Sequence, residues 1–167
     1  IGIIGAGKIA DLHMHVLKSF DDVSIVAIVN RDKKRREDFT KKYDIPHAYS
    51  DYKIMLKEEK LDAIFVTVSL FNIKDVALSC LETGIPTFIE KPAGININDI
   101  NDLVNAAKKM ETINMIGLNR RFYSNISHAL DIVKKDGGVK TIIIDCPQRL
   151  SDINNWKGYE DKTNIWN

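Results

Sequence analysis

Two short stretches carry residue types whose spacing could do chemistry: Gly5-Ala6-Gly7-Lys8-Ile9-Ala10 near the start of the chain, and Glu90-Lys91-Pro92 far along it. The first matches G-x-G-x-x-A and lies between a β-rich run over 1–5 and a helical pattern. In that fingerprint Gly5 permits the tight turn, Gly7 lets the backbone approach a pyrophosphate, and Ala10 is small enough for close helix packing. Phosphates would rest on the free N–H groups of the helix start, at Lys8 and Ile9. The pattern by itself also suits a plain strand-to-helix turn or a methyltransferase-like nucleotide fold. The second stretch offers a lysine that can reach the reacting end of a bound cofactor, and a plain surface lysine in a β–α loop is the other reading. Pro92 restricts its backbone, and Gly94 is expected to let the chain turn away.

Both motifs need elements to hold them. Strand-like runs cover 1–5, 23–29, 61–68, 86–89 and 113–118, each bounded by turn or cap residues. Helical patterns lie between them. Ile9, Leu12, Val16 and Phe20 mark one apolar stripe; Ile73, Val76, Ala77, Cys80 and Leu81 mark another, with Gly84 as its C-cap. Asn98 is a candidate cap for a third helix carrying Ile100, Leu103, Val104 and Ala107 inward. Alternation of this kind implies right-handed βαβ crossovers, hence an α/β fold with a doubly wound parallel sheet of the Rossmann type. Ligands bind outside the carboxyl ends of the strands in such sheets, and Glu90-Lys91-Pro92 directly follows the strand 86–89. The lysine therefore shares an edge with the glycine turn.

Composition narrows the partners. The chain has 167 residues, 24 basic against 23 acidic, for a net charge of +1, which gives no support for a nucleic-acid or membrane partner. The basic stretch 31–42 interleaves Glu37, Asp38 and Phe39, as a solvated helix face does. Cys80 and Cys146 sit in apolar segments and read as buried thiols of a reducing compartment, and no metal-ligand spacing is present. No apolar run approaches the ~20 residues that span a bilayer, so the expectation is a soluble, cytoplasmic protein. His13 and His15 lie on the first helix, where half-buried or solvent-facing roles are commoner than catalytic ones. Because residue 1 is Ile, already within a strand pattern, the sequence is expected to lack its natural start.

Asn30-Arg31 stands at the end of the second strand, where NAD enzymes carry an acidic residue for the ribose hydroxyls. Arg31 with Lys33 or Lys34 suits a 2′-phosphate, and Arg31 merely stacked on adenine or facing water is the other reading. The cofactor is thus NADP or NAD, with a lean to NADP.

With these residues in place the chain resembles the Gfo/Idh/MocA oxidoreductases. The likeness lies in GIIGAGKIA at 2–10, AYSDYKIML at 48–56, LETGIPTFIEKP at 81–92 and GLNRRF at 117–122. The resemblance implies a Rossmann domain over 1–119, then over 120–167 the beginning of an incomplete C-terminal α/β domain for substrate and association. In that second part 126–133 reads as a helix and 139–146 as a strand. It implies that Lys91 lies beside the nicotinamide and hydrogen-bonds the reacting hydroxyl, that Glu90 and Pro92 shape the cofactor pocket, and that Asn119 and Arg121 lie near the domain junction. Val68 belongs to a cofactor loop, although this chain reads Val68-Ser69-Leu70 where the family often has Thr-Pro-Asn, with Ile73 where a His follows. The Asp and His that work with the lysine are expected beyond residue 167, as is a surface for homo-oligomers. The implied activity is hydride transfer between a nicotinamide cofactor and a hydroxyl or carbonyl of a sugar, polyol or nucleotide sugar. A non-catalytic regulator binding the same ligands is the alternative.

Overall fold

The computed structural model describes residues 1–143 and 145. The chain divides into two units, Ile1–Gly117 and Leu118–Asn167. The first contains strands β1 (Gly2–Ile4), β2 (Ala27–Val29), β3 (His47–Tyr49), β4 (Ile64–Val66), β5 (Thr87–Ile89) and β6 (Asn114–Ile116). Between them run helices α1 (Lys8–Leu17), α2 (Lys33–Tyr43), α3 (Tyr52–Glu58), α4 (Leu70–Leu81) and α5 (Ile97–Met110). All pairings are parallel, in the order β3-β2-β1-β4-β5-β6. The chain winds outward from β1 on one side, then restarts at β4 on the other, which creates a switch point between β1 and β4.

Side chains alternate across the sheet, and both faces are covered. Ile3 and Ile28 join Ala10, Met14 and Leu17 of α1 and Phe39 and Tyr43 of α2 in one buried cluster. From Gly2, the neighbour of Ile3, a Cβ would meet Leu61 at 2.8 Å and Met55 of α3 at 3.1 Å, so the backbone of β1 is packed close. Ile73, Val76, Ala77, Cys80 and Leu81 are all buried, as the α4 periodicity requires. Burial pushes the Cys80 thiol up to about 12, which keeps it protonated and inert.

Several local expectations are corrected. On α1 the buried residues are Ala10, Met14 and Leu17, whereas Ile9, Leu12 and Val16 are exposed and Phe20 lies past the helix end. A helix entered from a tight glycine turn sits close on the sheet, and the small Ala10 permits that approach. The cap of α5 is Asn96, whose Oδ1 accepts from the Asp99 N–H at 3.0 Å, two residues before the expected Asn98. Its inward residues are Leu103 and Ala106, with Val104 exposed. Helix α4 ends with Glu82 as C-cap, and Gly84, at φ +77°, takes the left-handed turn beyond it. Gly94 is not a left-handed turn residue; a Cβ there would lie 2.5 Å from Asp99 Cβ, so close approach of the α5 start is what calls for glycine. Strand β3 and helix α3 add two elements that the apolar runs did not reveal.

In the second unit a 3-10 turn (Asn119–Phe122) leads into α6 (Ser124–Lys135), which covers the expected helix at 126–133. The expected strand at 139–146 is not present over 139–143; Cys146 and the rest of the chain lie outside the described residues. Among the described residues no helix is long and apolar enough to cross a membrane, and no cluster of three or more His, Cys, Asp or Glu could hold a metal.

Candidate functional site

The parallel register puts one residue after each strand on a common edge. Ile4 pairs with Val29 and Val66, Val66 with Ile89, and Ile89 with Ile116. The next residues continue the ladder by one step: Gly5 N–H donates to Val29 O at 2.8 Å, Thr67 N–H to Ile4 O at 2.8 Å, Glu90 N–H to Val66 O at 2.9 Å and Gly117 N–H to Ile89 O at 2.8 Å. Gly5 and Glu90 are thus level and two strands apart, on the order of 10 Å. One ligand can span both.

A cavity of about 670 Å³ opens at this edge over the switch point. It is lined by Gly5 and Gly7 after β1, Asn30 and Arg31 after β2, and Val68 after β4, which brings five of the sequence-derived residues together. Lys8, Ile9, Glu90, Lys91 and Pro92 do not line it. Asn119 and Arg121 lie in the 3-10 turn of the second unit, where the Arg121 guanidinium stands 5.9 Å from the Phe122 ring centroid.

The two glycines are there for different reasons. Gly5 has φ +112°, and a Cβ would lie 2.7 Å from the Thr67 carbonyl oxygen, so both conformation and space demand glycine. Gly7 has φ −100°, open to any residue, and a Cβ there would meet no protein atom within 4 Å. Nothing in the protein requires glycine at 7; what a side chain would occupy is the mouth of the cavity. Gly7 is also the N-cap of α1 with no side-chain hydrogen bond, leaving the first N–H groups of the helix to a ligand. A dinucleotide pyrophosphate fits this cradle.

At the β2 end the Asn30 side chain is engaged: its Oδ1 accepts from the Asp32 N–H at 2.9 Å. Asp32 in turn caps α2 by accepting from the Arg35 N–H at 3.0 Å. Arg31 is exposed on the cavity wall, and the second cation lining it on this side is Arg35, not Lys33 or Lys34. Lys33 instead faces Glu37 at 3.8 Å. Tyr52 and Lys53 line the cavity from the start of α3, contributors hidden while α3 itself went unread. Thr67 was missed as well; its buried hydroxyl donates to Ile4 O at 3.0 Å and Gly5 O at 3.2 Å, bracing the glycine turn from β4.

The lysine turn is held from α1. His13 Nε2 lies 2.8 Å from Glu90 Oε1, and the other carboxylate oxygen accepts the Lys91 N–H at 3.0 Å. Burial by itself would raise the Glu90 carboxyl, but the His13 contact and the Lys91 N–H outweigh it and hold the group below its ordinary value. The His13 ring meets Phe65 edge-on at 5.6 Å and Phe88 at 5.0 Å. Lys91 is exposed, and its peptide to Pro92 is cis. His13 is half-buried, as expected of it, and is in addition a partner of this turn. Only its place one helical turn beyond Ala10, on the sheet side of α1, could have signalled it.

Comparison with known proteins agrees in one direction. The family model Gfo/Idh/MocA, an oxidoreductase family with an NAD-binding Rossmann fold, matches residues 1–118. The chain is 29% identical over 134 residues to a myo-inositol 2-dehydrogenase of Thermotoga maritima, covering 80% of this chain and 40% of that protein. It is 31% identical over 124 residues to a mouse (Mus musculus) trans-1,2-dihydrobenzene-1,2-diol dehydrogenase, covering 73% and 37%. The crystal structure of a myo-inositol 2-dehydrogenase from Lactobacillus plantarum superposes with a TM-score of 0.76 at 26% identity, covering 85% of this chain and 42% of that one. The chain thus spans about 40% of the length of the relatives it matches.

Proposed function

The chain belongs to the Gfo/Idh/MocA oxidoreductase family, with its Rossmann fold, and from that premise we propose that it forms the cofactor-binding part of a nicotinamide-dependent dehydrogenase. The substrate class is a sugar, polyol or nucleotide sugar, reacting at a hydroxyl or carbonyl carbon. The observation that carries this reading is the common sheet edge, on which Gly5, Thr67 and Glu90 are level across the switch point.

The α1 start at Gly7, Lys8 and Ile9 would hold the pyrophosphate through backbone N–H groups. Arg31 and Arg35, beside a side chain of Asn30 already committed to Asp32, favour the 2′-phosphate of NADP over a free ribose hydroxyl. Val68 flanks the cavity at the β4 end. When bound, the nicotinamide supplies the accepting or donating carbon for hydride. Lys91 would hold the substrate hydroxyl and help move its proton, with Glu90 and Pro92 fixing the turn that carries it. Association into homo-oligomers would belong to the second domain.

The test is Lys91→Ala in the whole natural protein. Sugar- or polyol-dependent change in nicotinamide absorbance should fall by roughly 10²- to 10⁴-fold while cofactor affinity changes little. Full activity in that variant would remove Lys91 from the reaction.

A further inference from the structure

Helix α1 starts at the proposed phosphate cradle and, at His13, reaches the turn that carries the lysine. We infer that His13 is a positioning residue for Lys91, acting through Glu90: its ring nitrogen grips one carboxylate oxygen while the other holds the Lys91 backbone N–H. The inference rests on the proposed reading of the edge as a nicotinamide site.

The geometry is specific. Contact between His13 and Glu90 joins residues 77 apart in sequence, at 2.8 Å, with the two side chains 24% and 13% exposed. Phe65 and Phe88, stacked at 4.8 Å on neighbouring strands, form the floor beneath the imidazole and limit where the ring can go. Space for the carboxylate is reserved from β6: a Cβ on Gly117 would lie 3.0 Å from Glu90 Oε1 and 2.9 Å from Phe88 Cζ. Three elements, α1, β5 and the end of β6, therefore converge on one carboxylate. Its second oxygen is spent on the Lys91 N–H. A partly buried polar pair serving stability alone could be exchanged for apolar groups at little cost. This one terminates on the backbone of the residue proposed to move the proton. Because His13 and the Gly7 cradle share one short helix, a pyrophosphate bound at Gly7 and the Lys91 turn would both be referenced to the same rigid body.

The experiment uses His13→Leu, His13→Gln, Glu90→Gln and the double variant His13→Leu/Glu90→Gln in the 167-residue chain. Each is titrated with NADPH and with 2′-phospho-ADP-ribose, which lacks the nicotinamide; NADH and ADP-ribose form the second pair. His13→Leu should weaken NADPH by roughly tenfold, the loss of one hydrogen bond to a charged group. It should leave the nicotinamide-free ligand within about twofold. His13→Gln retains an N–H donor and should recover most of the loss, and the double variant should be no weaker than Glu90→Gln. In ¹⁵N spectra of the ligand-free chain, the Lys91 amide should move in His13→Leu and return toward the parent position in His13→Gln. Equal weakening of both ligands, no rescue by Gln, or an unmoved Lys91 amide overturns the inference. If His13→Leu fails to fold, His13→Gln against Glu90→Gln decides it: parent-like behaviour in both overturns it. Should the parent bind no dinucleotide, the proposed function falls and the positioning role with it. Parent binding with an unaffected His13→Leu defeats the positioning role alone.

Discussion

At the β1 end of the sheet edge, Gly5 and Gly7 shape the cavity with backbone alone. Two strands away, the Glu90–Lys91 turn is set by a side chain from another element. Backbone shaping is mostly local: consecutive residues form the turn and the helix start, with Thr67 as the brace from another strand. The lysine turn depends on a contact between residues 77 apart, which forms only once α1 has docked on the sheet. The two halves of one proposed site should therefore fail in different ways.

The largest expected effect separates the two glycines. Gly5→Ala puts a Cβ 2.7 Å from the Thr67 carbonyl at φ +112°, and should cost about 2 to 4 kcal/mol of stability. Gly7→Val adds a side chain whose Cβ would meet nothing within 4 Å, so the melting temperature should fall by no more than a poorer N-cap costs, about 1 kcal/mol, while dinucleotide binding falls by at least about a hundredfold, the scale of two or three charge-assisted contacts. Thermal melts beside cofactor titrations make the check. A Gly7 variant that binds like the parent would mean that no pyrophosphate approaches this turn.

The next effect sharpens the comparison within the cavity. Arg31→Ala should erase most of a preference for NADPH over NADH, a difference of roughly 1.5 to 3 kcal/mol for a charge-assisted contact. Arg35→Ala should act in the same direction and leave the start of α2 intact, since the Asp32 cap accepts from the backbone N–H of residue 35, which alanine retains. Equal binding of NADPH and NADH by the parent would take away the role of Arg31 as selector.

How far the site was legible in the sequence follows the same division. The glycine turn could be read because its motif is consecutive and its left-handed φ is a local demand, and the edge position of Lys91 could be read because it directly follows a strand. The inward face of α1 was misread, although the sequence contained the clue. Placing Ala10 against the sheet also turns Met14 and Leu17 inward, four and seven residues on, and leaves the more apolar-looking Ile9, Leu12 and Val16 outside. Read from Ala10, the helix brings His13 toward the sheet as well. Strand β3 escaped because His47-Ala48-Tyr49 is a partly exposed edge strand without an apolar run, and with it went α3 and the approach of Tyr52 and Lys53 to the cavity. The Asp51 cap, whose side chain accepts from the Lys53 N–H at 2.9 Å, was the signal available there.

The smallest expected effect tests whether the backbone half is as self-contained as the comparison makes it. Thr67 braces the glycine turn from the end of β4, with its hydroxyl donating to the carbonyls of Ile4 and Gly5. Ile4 O also accepts the Thr67 N–H at 2.8 Å, so Thr67→Val deprives chiefly Gly5 O of a donor and places a methyl where the hydroxyl sat 3.2 Å away. The loss should be about 1 kcal/mol of stability, with Thr67→Ser retaining most of it because the donor remains. Dinucleotide affinity should change by less than about threefold, since the N–H groups proposed to face the phosphates belong to α1 and keep their helical directions. Denaturant titration gives the first quantity and cofactor titration the second. A large affinity loss at unchanged stability would show that the turn borrows its shape from β4, and that the two halves of the edge are built in the same way after all.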